Sequence, residues 1–548
     1  MEENKMKKIL KNLMFAAVVF SAAACSLKEE PTSFVNKHNF YKTPLQCQAA
    51  LNRCYAHLNN IFVANFMIAS EGCTDLWYSR SEAGDSSLDV MPAKPQIGAT
   101  IWEKGYQGVM DCNEAIACIE KAPIDESDKL PLVAEGCVMR AMYYYILTSM
   151  FGDVPYYTCM VDSYHVQDSI RFLERTPADT IRTRLYNDLR DNAIPYFTEE
   201  NGLKVRGGEA PDNRSGYAHG LMLMAKFAMW NACSQDKDQP KESEYSREWF
   251  EKAIVPLDSL VNLYGELTED RYPLKETQWR YKNTSESIFE IQHAYSRDGV
   301  QYFRDVAAIM MPQYEEGTTY DGADLKMNYG SYRWDGLKTN DYYLFCFSPL
   351  PVTSNKTLDA AAWLKGENAE GIKFDKRIEY VLGFGNFETG ATFTSYTNKG
   401  DCWAGSKFWC PGMERNYDFN NYRIFRYADA VLMKAEALAN LEDWKCKDYL
   451  QQVRTRAGVA ERTPEFSDFP AFLEYIRAER ARELGGEFMR KFDLVRWGIW
   501  HDSVVEYSDK ETVKERALPC HRFYPIPDTQ CALSGYKLRN PEYENAGL

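Results

Sequence analysis

Two blocks of helical periodicity, separated by a long irregular stretch, constrain the fold of this chain more than any other sequence feature. In the second block six apolar residues follow an i, i+3, i+4, i+7 spacing and fall on one helix stripe: Ala428, Val431, Leu432, Ala435, Leu438 and Ala439. The first block, residues 43–263, contains similar patterns, including a long one over residues 134–150 that Gly152 is expected to end. These patterns predict an all-α protein.

The stretch between the two blocks, residues 264–421, keeps no helical period and is rich in Gly, Pro, Asn, Asp and Thr. Aromatic residues cluster in this stretch: Tyr329, Tyr332, Trp334, Tyr342, Tyr343, Trp363, Trp403 and Trp409. A long irregular segment in a compact protein is often functional. We therefore expect a functional surface here.

The composition of the chain argues against some classes of protein. The chain has 548 residues, of which 45% are hydrophobic and 26% charged, so disorder is not the default expectation. The formal net charge of -15 repels phosphate backbones, which argues against a nucleic-acid partner. The aromatic fraction of 14% fits either a large aromatic core or exposed rings that serve as ligand platforms.

The N-terminal segment has the order of a bacterial lipoprotein signal. Lys7, Lys8 and Lys11 precede a short apolar run at residues 13–20, and small residues lead directly into Cys25. We predict that residues 1–24 are a signal peptide, that Cys25 carries the acyl groups, including palmitate, and that residues 25–42 form a lipidated tether. Ala22 stands where most lipoboxes carry Leu, and simple secretion is the alternative.

The remaining cysteines give no disulfide framework. The chain has 15 cysteines, and apart from Cys25 their spacing is irregular and includes no C-x-x-C. Cys112, Cys118 and Cys137 lie in helical patterns among apolar residues, where cysteine behaves as a small hydrophobe. We expect mostly buried free thiols.

A series of segments, in order along the chain, resembles the SusD/RagB family. The C-terminal segments are residues 423–440 (RIFRYADAVLMKAEALAN), 451–459 (QQVRTRAGV), 476–498 (IRAERARELGGEFMRKFDLVRWG) and 523–530 (FYPIPDTQ). The earlier segments are residues 102–116 (WEKGYQGVMDCNEAI), 134–156 (AEGCVMRAMYYYILTSMFGDVPY) and the D-x-R element at 374–380 (FDKRIEY). Phe488 stands where the family usually has Gly, so the local turn is expected to differ.

The resemblance implies an all-α, SusD-like domain over residues 43–548, built from tetratricopeptide-like helix pairs with a loop-rich ligand-binding face. Within it we expect an N-terminal helical block (43–263), an irregular region (264–421) and a C-terminal helical block (422–548). It further implies a lipid-anchored outer-membrane protein that faces the cell exterior. Such a protein binds oligo- or polysaccharide, catalyses no reaction and delivers the glycan to a SusC-like TonB-dependent β-barrel transporter.

The charged residues of the family motifs are expected to be structural. They alternate in sign on helices that must pack, and buried charges need partners: Arg426, Asp429, Glu436, Arg454, Arg456, Glu479, Arg480, Glu483, Arg490, Asp493 and Arg496. The alternative is a carboxylate pair that acts on a glycosidic bond, as in a surface glycoside hydrolase. No H-E-x-x-H or G-x-S-x-G occurs, no cofactor is indicated, and no pattern supports a calcium site.

Glycan capture requires aromatic planes for the C–H face of a sugar and polar groups for its hydroxyls. Two stretches, residues 70–85 and 328–343, offer both in loop-like sequence. The candidate glycan-binding residues are Asp75, Trp77, Tyr78, Arg80, Tyr329, Tyr332, Arg333, Trp334 and Asn340. The alternatives are that Trp77 and Trp334 pack beneath loops, and that the protein is a structural lid or adhesin without its own sugar site.

Overall fold

Helices provide nearly all of the regular structure among the residues that the structure describes. The computed structural model describes Met6 and residues 40–79, 81, 84–233, 245–293, 306–310, 319–320, 323–324, 337–347, 375, 377, 385–386, 391–392, 406–408, 410, 418–459 and 463–548. Cys25 and most of the predicted tether lie outside the described residues, so lipidation stays a prediction.

The N-terminal block consists of successive helices. They are α1 (Pro44–Ala56), α2 (Leu58–Ile61), α3 (Ala64–Glu71), α4 (Ile97–Glu120), α5 (Glu126–Phe151), α6 (Tyr164–Arg171), α7 (Ala178–Asn192), α8 (Tyr217–Cys233) and α9 (Arg247–Tyr264). Two short helices follow in the irregular region, α10 (Val306–Met310) and α11 (Asp341–Cys346).

The C-terminal block is also helical. It contains α12 (Tyr427–Asn440), α13 (Cys446–Arg456), α14 (Phe469–Leu484), α15 (Arg490–Arg496), α16 (Trp500–Tyr507), α17 (Glu511–Arg516), α18 (Asp528–Leu533) and α19 (Pro541–Asn545). Helix α14 begins where the Asp468 side chain accepts a hydrogen bond from the Ala471 backbone N–H, which satisfies one free donor of the first turn.

The strands that the structure describes are short and form antiparallel pairs. They are β1 (Trp77–Ser79) with β5 (Leu337–Thr339), β2 (Ser287–Ile291) with β8 (Tyr422–Arg426), β3 (Thr319–Tyr320) with β4 (Ala323–Asp324), and β6 (Gly385–Asn386) with β7 (Ala391–Thr392). The β2–β8 pair joins the two ends of the irregular region, because β2 enters it and β8 leaves it.

Consecutive helices pack against each other, α4 with α5, α7 with α8, α8 with α9, and α12 with α13. Helix α9 also packs against α12 and so joins the two helical blocks. The predicted all-α fold of tetratricopeptide-like helix pairs is thus confirmed. The block boundaries at 263 and 421 stay predictions.

Helix α5 forms the centre of the N-terminal block. Every residue from Ala134 to Phe151 is buried, so this C-terminal part of the helix is enclosed on all sides. A Cβ on Gly108 of α4 would lie 2.2 Å from the Tyr143 ring, so the close α4–α5 approach requires glycine there. Gly152 ends α5 with a φ of +69°, as the sequence predicted.

Helix α12 differs from its prediction as an amphipathic helix with one apolar stripe. It is buried almost all round, and of its residues only Leu438 and Asn440 are partly exposed. The reason is that α8, α9, α13 and α14 all pack against it. Its charged residues are therefore core residues that need ion-pair partners.

The first and last thirds of the chain are bound directly to each other. The Glu71 carboxylate at the end of α3 accepts hydrogen bonds from the Met489 and Arg490 backbone N–H groups at 2.9 and 3.2 Å. The Trp500 indole N–H donates to the Cys73 carbonyl at 3.0 Å. Contacts of this kind fix the segment that holds β1 onto the C-terminal block.

The cysteines of the described part are free, and most are buried, as predicted; Cys118 is half-buried and Cys159 is exposed. None of the described helices combines the length and the apolar character that a membrane span needs.

Candidate functional site

The two stretches predicted to bind glycan are brought together by the pairing of β1 with β5. Trp77 lies opposite Thr339, Tyr78 opposite Lys338, and Ser79 opposite Leu337 in an antiparallel register. The sequence analysis placed these residues in loops, and this was wrong, because each stretch finds its hydrogen-bond partner about 260 residues away in the chain. We call the outward side of this pair the β1–β5 face.

Alternation along the strands decides which side chains reach the surface. The inward positions Trp77, Ser79, Leu337 and Thr339 are buried, whereas Tyr78 and Lys338 are partly exposed. Tyr78 is thus the one predicted site residue within the described part of the chain that reaches the surface. Lys338, which the sequence analysis did not select, lies beside it as its cross-strand partner.

Trp77 is a core residue. Its side chain is completely buried, and its ring meets the edge of the Tyr343 ring at a centroid distance of 5.2 Å. The alternative interpretation, that this tryptophan packs beneath a loop, therefore holds. Trp77 stabilises the platform from below and is not itself presented to a ligand.

Asp75 is also buried, and its prediction as a glycan ligand is wrong. The Arg490 guanidinium donates to both carboxylate oxygens, at 2.8 and 2.6 Å. Burial of an ion pair requires such full pairing, so neither group is available to a sugar. The pair instead joins the loop before β1 to helix α15.

Asn340 is buried and fully used by the fold, so it is not a glycan ligand either. Its side-chain N–H donates to the Thr74 carbonyl at 2.9 Å, and its side-chain oxygen accepts from the Asp509 backbone N–H at 2.9 Å. This side chain binds the β1 segment, the end of β5 and the segment after α16 together.

The other predicted residues lie outside the described residues: Cys25, Arg80, Tyr329, Tyr332, Arg333 and Trp334. Arg80 follows β1 directly in the chain and stays a prediction. The four residues between 329 and 334 precede β5 directly and stay predictions as well.

A stacked pair of tyrosines was missed by the sequence analysis. The rings of Tyr342 and Tyr507 lie 4.0 Å apart at an angle of 23°, and both are partly exposed. Burial raises the pKa of Tyr507 to about 12, so its hydroxyl stays protonated at neutral pH. The signal available in the sequence was weak, because the two residues come together only through the contact between α11 and the end of α16.

Backbone contacts hold the β1–β5 face in place. The Lys510 ammonium donates to the Ser79 and Ser81 carbonyls at 2.8 and 2.6 Å. The Tyr524 hydroxyl donates to Asp85 at 2.8 Å, and burial raises the pKa of Asp85 to about 6. The loop after β1 is thus fastened at two points by the C-terminal block.

The motif carboxylates of α14 are fully paired. Glu483 accepts from Arg377 and Arg426 at 2.7 Å each and also pairs with Arg456. Burial alone would raise its pKa, but these guanidinium groups hold the pKa of Glu483 well below its usual range. The same balance lowers the pKa of Glu479 to about 2, with Arg377 as the largest opposing charge. Neither carboxylate can act as a general acid near neutral pH.

The whole set of motif charges confirms the structural prediction, since every member is buried and ion-paired: Arg426, Asp429, Glu436, Arg454, Arg456, Glu479, Arg480, Glu483, Arg490, Asp493 and Arg496. Arg480, for example, pairs with Asp429 and Asp493, at 2.9 and 2.8 Å. The D-x-R element has the same role, because Arg377 binds both Asp375 and α14.

No cluster of three or more His, Cys, Asp or Glu side chains suited to a metal ion occurs among the residues that the structure describes. The face therefore offers rings, hydroxyls and an ammonium group. This donor set fits an uncharged, hydroxyl-rich ligand with an apolar side.

Two family models match this chain. The model described as SusD family matches residues 410–543, and the model described as starch-binding associating with outer membrane matches residues 77–191. A SusD-like protein from Formosa agariphila is 23% identical over 573 residues, which cover 95% of this chain and 96% of the relative.

Solved structures with a similar fold cover most of the chain. A SusD homolog from Bacteroides thetaiotaomicron gives a TM-score of 0.70 at 17% identity and covers 93% of this chain and 98% of its own. Surface glycan-binding protein A from the same organism, in complex with laminarihexaose, gives a TM-score of 0.64 at 20% identity and covers 91% of this chain and 99% of its own.

Proposed function

This chain belongs to the SusD/RagB family, and from that premise we propose that it is a surface lipoprotein that binds carbohydrate and delivers it to a SusC-like TonB-dependent transporter. The carbohydrate is captured at the β1–β5 face. The protein is anchored in the outer membrane through acyl groups on Cys25, faces the cell exterior, and catalyses no reaction on its ligand.

The observation that carries the proposal is the cross-strand pair of Tyr78 and Lys338. The two residues come from distant stretches that were each selected for sugar-binding chemistry, and they lie side by side with partly exposed side chains. The tyrosine ring suits the C–H face of a pyranose, and the ammonium group suits its hydroxyl oxygens.

The rigidity of the platform also favours binding. Trp77, Asp75 and Asn340 are buried beneath or beside the face, and contacts to the C-terminal block hold Asp75 and Asn340 in place. A surface that is ordered before the ligand arrives loses less conformational entropy on binding. The buried candidates thus support the site without touching the sugar.

The ligand class has support from relatives. One solved structure of similar fold is a surface glycan-binding protein in complex with laminarihexaose. We therefore place laminarin first in a panel that also contains starch, xylan, mannan and cellulose oligosaccharides. A single face of this kind is expected to give a dissociation constant between about 1 µM and 1 mM.

The test is calorimetric titration of the purified protein with this panel. We expect at least one glycan to bind and the Tyr78→Ala substitution to weaken it about fivefold or more, which corresponds to about 1 kcal/mol for one ring contact. Tyr196→Ala, which removes another partly exposed tyrosine in the short 3-10 helix after α7 (Ile194–Tyr196), is the matched control and should bind as the wild type does. Absence of binding to every glycan would favour a structural lid or adhesin.

The glycoside hydrolase alternative is tested separately. The motif carboxylates that could form a dyad are saturated by arginines, and this supports a binding protein. Incubation of each bound glycan with the protein, followed by chromatography, should return the glycan intact. Release of shorter sugars that a single Asp or Glu substitution abolishes would reverse this assignment.

Anchoring and delivery need cellular experiments. Labelled palmitate should enter the wild-type protein and not the Cys25→Ala variant, which should also leave the outer-membrane fraction. Affinity purification of the wild-type protein from its own cells should recover a TonB-dependent barrel. Equal labelling of both proteins, or recovery of no barrel, would refute the respective part of the proposal.

A further inference from the structure

A second cleft lies in the N-terminal block and involves none of the residues of the β1–β5 face. Its volume is about 530 Å³, which falls in the range of small-molecule sites. It lies between α4, the loop after α5, helix α6 and the C-terminal helix α18. Its lining residues include Trp102, Tyr106, Tyr157, Tyr164, Asp168 and Gln530.

The floor of the cleft is an ordered aromatic platform. The rings of Tyr106 and Tyr157 are parallel within 7°, with their centroids 6.3 Å apart, and both are partly exposed. Trp102 packs against Tyr106 from below at 4.9 Å. Parallel, offset rings present a wide apolar plane to whatever fills the cleft.

The family motifs hold this platform in place. The Tyr106 hydroxyl donates to the Pro155 carbonyl at 2.8 Å. The backbone of Tyr157 is bound on both sides by the Tyr144 hydroxyl, which donates to the Tyr157 carbonyl and accepts from its N–H, at 2.8 and 2.9 Å. The two rings are thus fixed before any ligand binds, and this gives a role to motif residues that the β1–β5 face does not use.

The rim of the cleft is polar, and only part of it is paired within the protein. Glu103 is paired with Lys104, but among the described residues the side chains of Gln167, Asp168 and Gln530 form no hydrogen bond or ion pair. These planar amide and carboxylate groups are free to bind hydroxyl groups. A purely apolar ligand would desolvate them without compensation.

Exposed apolar side chains gather at the same place. Of the large apolar side chains that are exposed in the described part of the chain, five lie in or beside the cleft: Met110, Tyr164, Phe172, Leu533 and Tyr536. Tyr164 is 79% exposed and begins α6, a helix with no buried residue. Such a concentration marks a binding surface.

From this arrangement we propose that the cleft is a second binding site for neutral carbohydrate, with the Tyr106–Tyr157 platform under a pyranose ring and Gln167, Asp168 and Gln530 on its hydroxyls. The charge of the lining disfavours acidic sugars, because it contains two carboxylates, Glu103 and Asp168, and one cationic side chain, Arg171. The Arg171 guanidinium also donates already to the Leu533 carbonyl at 2.6 Å. The proposal shares the ligand class of the proposed function but not its site.

The experiment compares five proteins: the wild type, Tyr78→Ala, the double variant Tyr164→Ala/Asp168→Ala, the triple variant that combines these three substitutions, and His165→Ala. Each is titrated with laminarihexaose, cellohexaose, maltohexaose, mannohexaose and xylohexaose, and with an oligogalacturonate as the acidic comparator. Tyr164 and His165 are exposed neighbours at the start of α6, but only Tyr164 lines the cleft, so His165→Ala is the matched control.

We expect Tyr78→Ala to retain binding of a neutral hexasaccharide, and the double variant to weaken that binding fivefold or more when combined with Tyr78→Ala. His165→Ala should change nothing, and the oligogalacturonate should not bind. Complete loss of binding in Tyr78→Ala would overturn the second site and leave the proposed function intact. If the double variant abolishes binding and Tyr78→Ala does not affect it, the β1–β5 face is not a binding site and the cleft is. Absence of binding to the wild type would overturn both.

Discussion

At the scale of single residues, Phe488 shows how this chain departs from its family. Its backbone has a φ of +62°, a left-handed conformation that side chains other than glycine rarely adopt, and the family usually has Gly here. The ring is completely buried and lies between 5.3 and 5.7 Å from the rings of Phe62, Phe66 and Trp279. The packing of this ring offsets the backbone strain.

This balance predicts an unusual order of stability for two variants. Phe488→Ala loses the ring and keeps the strain, whereas Phe488→Gly loses the ring and relieves the strain. We expect urea denaturation to show losses of about 3 to 5 kcal/mol for Phe488→Ala and about 1 kcal/mol less for Phe488→Gly. If the alanine variant were more stable than the glycine variant, as is usual at a buried position, this account would be contradicted.

The buried carboxyl group of Glu71 leads to a prediction of how the stability of the fold depends on pH. Burial raises its pKa from 4.5 to about 8, although two backbone N–H groups donate to its carboxylate. A carboxyl group whose folded pKa lies above its unfolded pKa stabilises the fold below about pH 4.5, and this contribution is lost as the pH rises through 8.

Glu71→Gln keeps the accepting oxygen and removes the ionisation. Relative to the wild type, the variant should gain stability on the order of 3 kcal/mol between pH 4.5 and pH 8.5. Urea denaturation at a series of pH values measures the difference. A difference that does not vary with pH would show that Glu71 ionises freely in the folded protein.

At the scale of elements, helix α14 serves as the central ion-pairing element of the C-terminal block. Glu483 binds arginines from three segments, the D-x-R element, β8 and α13. Removal of one charge from a buried network leaves its partners uncompensated and costs several kcal/mol. The helix therefore fixes the positions of segments that the sequence separates widely.

Glu483→Gln should lower the free energy of unfolding by about 3 to 5 kcal/mol. Glu474→Gln is the matched control on the same helix, because Glu474 is 66% exposed and, in the part of the chain that the structure describes, pairs only with its neighbour Arg477. The control should stay within about 0.5 kcal/mol of the wild type in the same denaturation experiment. Equal effects of both substitutions would refute the central role of Glu483.

The helices show how far sequence patterns reach. The end of α5 at Gly152 and the position of α12 could be predicted, because each depends on neighbours within a few turns. The structural role of the motif charges could be predicted because buried charges need partners, but the partners themselves could not, because they lie on distant segments. The orientation of Trp77 and Tyr78 could not be predicted. It depends on the register of β1 against β5, and a shift by one residue would exchange the buried and the exposed ring.

At the scale of the whole molecule, the N-terminal and C-terminal blocks form one body. Glu71, Asp75 and Cys73 all bind groups of α15 and α16 or the residues just before them, and the Tyr524 N–H donates to the Met150 carbonyl at 2.6 Å. The β1 segment therefore cannot detach without disruption of the C-terminal core.

Scanning calorimetry should accordingly give a single cooperative transition for the described body despite the length of the chain. Arg490→Met, which leaves Asp75 buried without its partner, should move the whole transition to lower temperature. Two resolved transitions, of which the substitution shifts only one, would show that the blocks unfold independently.

The pairing of β2 with β8 has a consequence for how such proteins diversify. Residues 292–421 leave the helical scaffold at one strand and re-enter it at the strand alongside, so the ends of this insert are held next to each other. An insert with adjoining ends can change in length and sequence while the helices around it keep their geometry. Grafting the corresponding cassette from a relative between Ile291 and Tyr422, with Asn340, Asp375 and Arg377 kept because they bind the frame, should therefore transfer glycan preference.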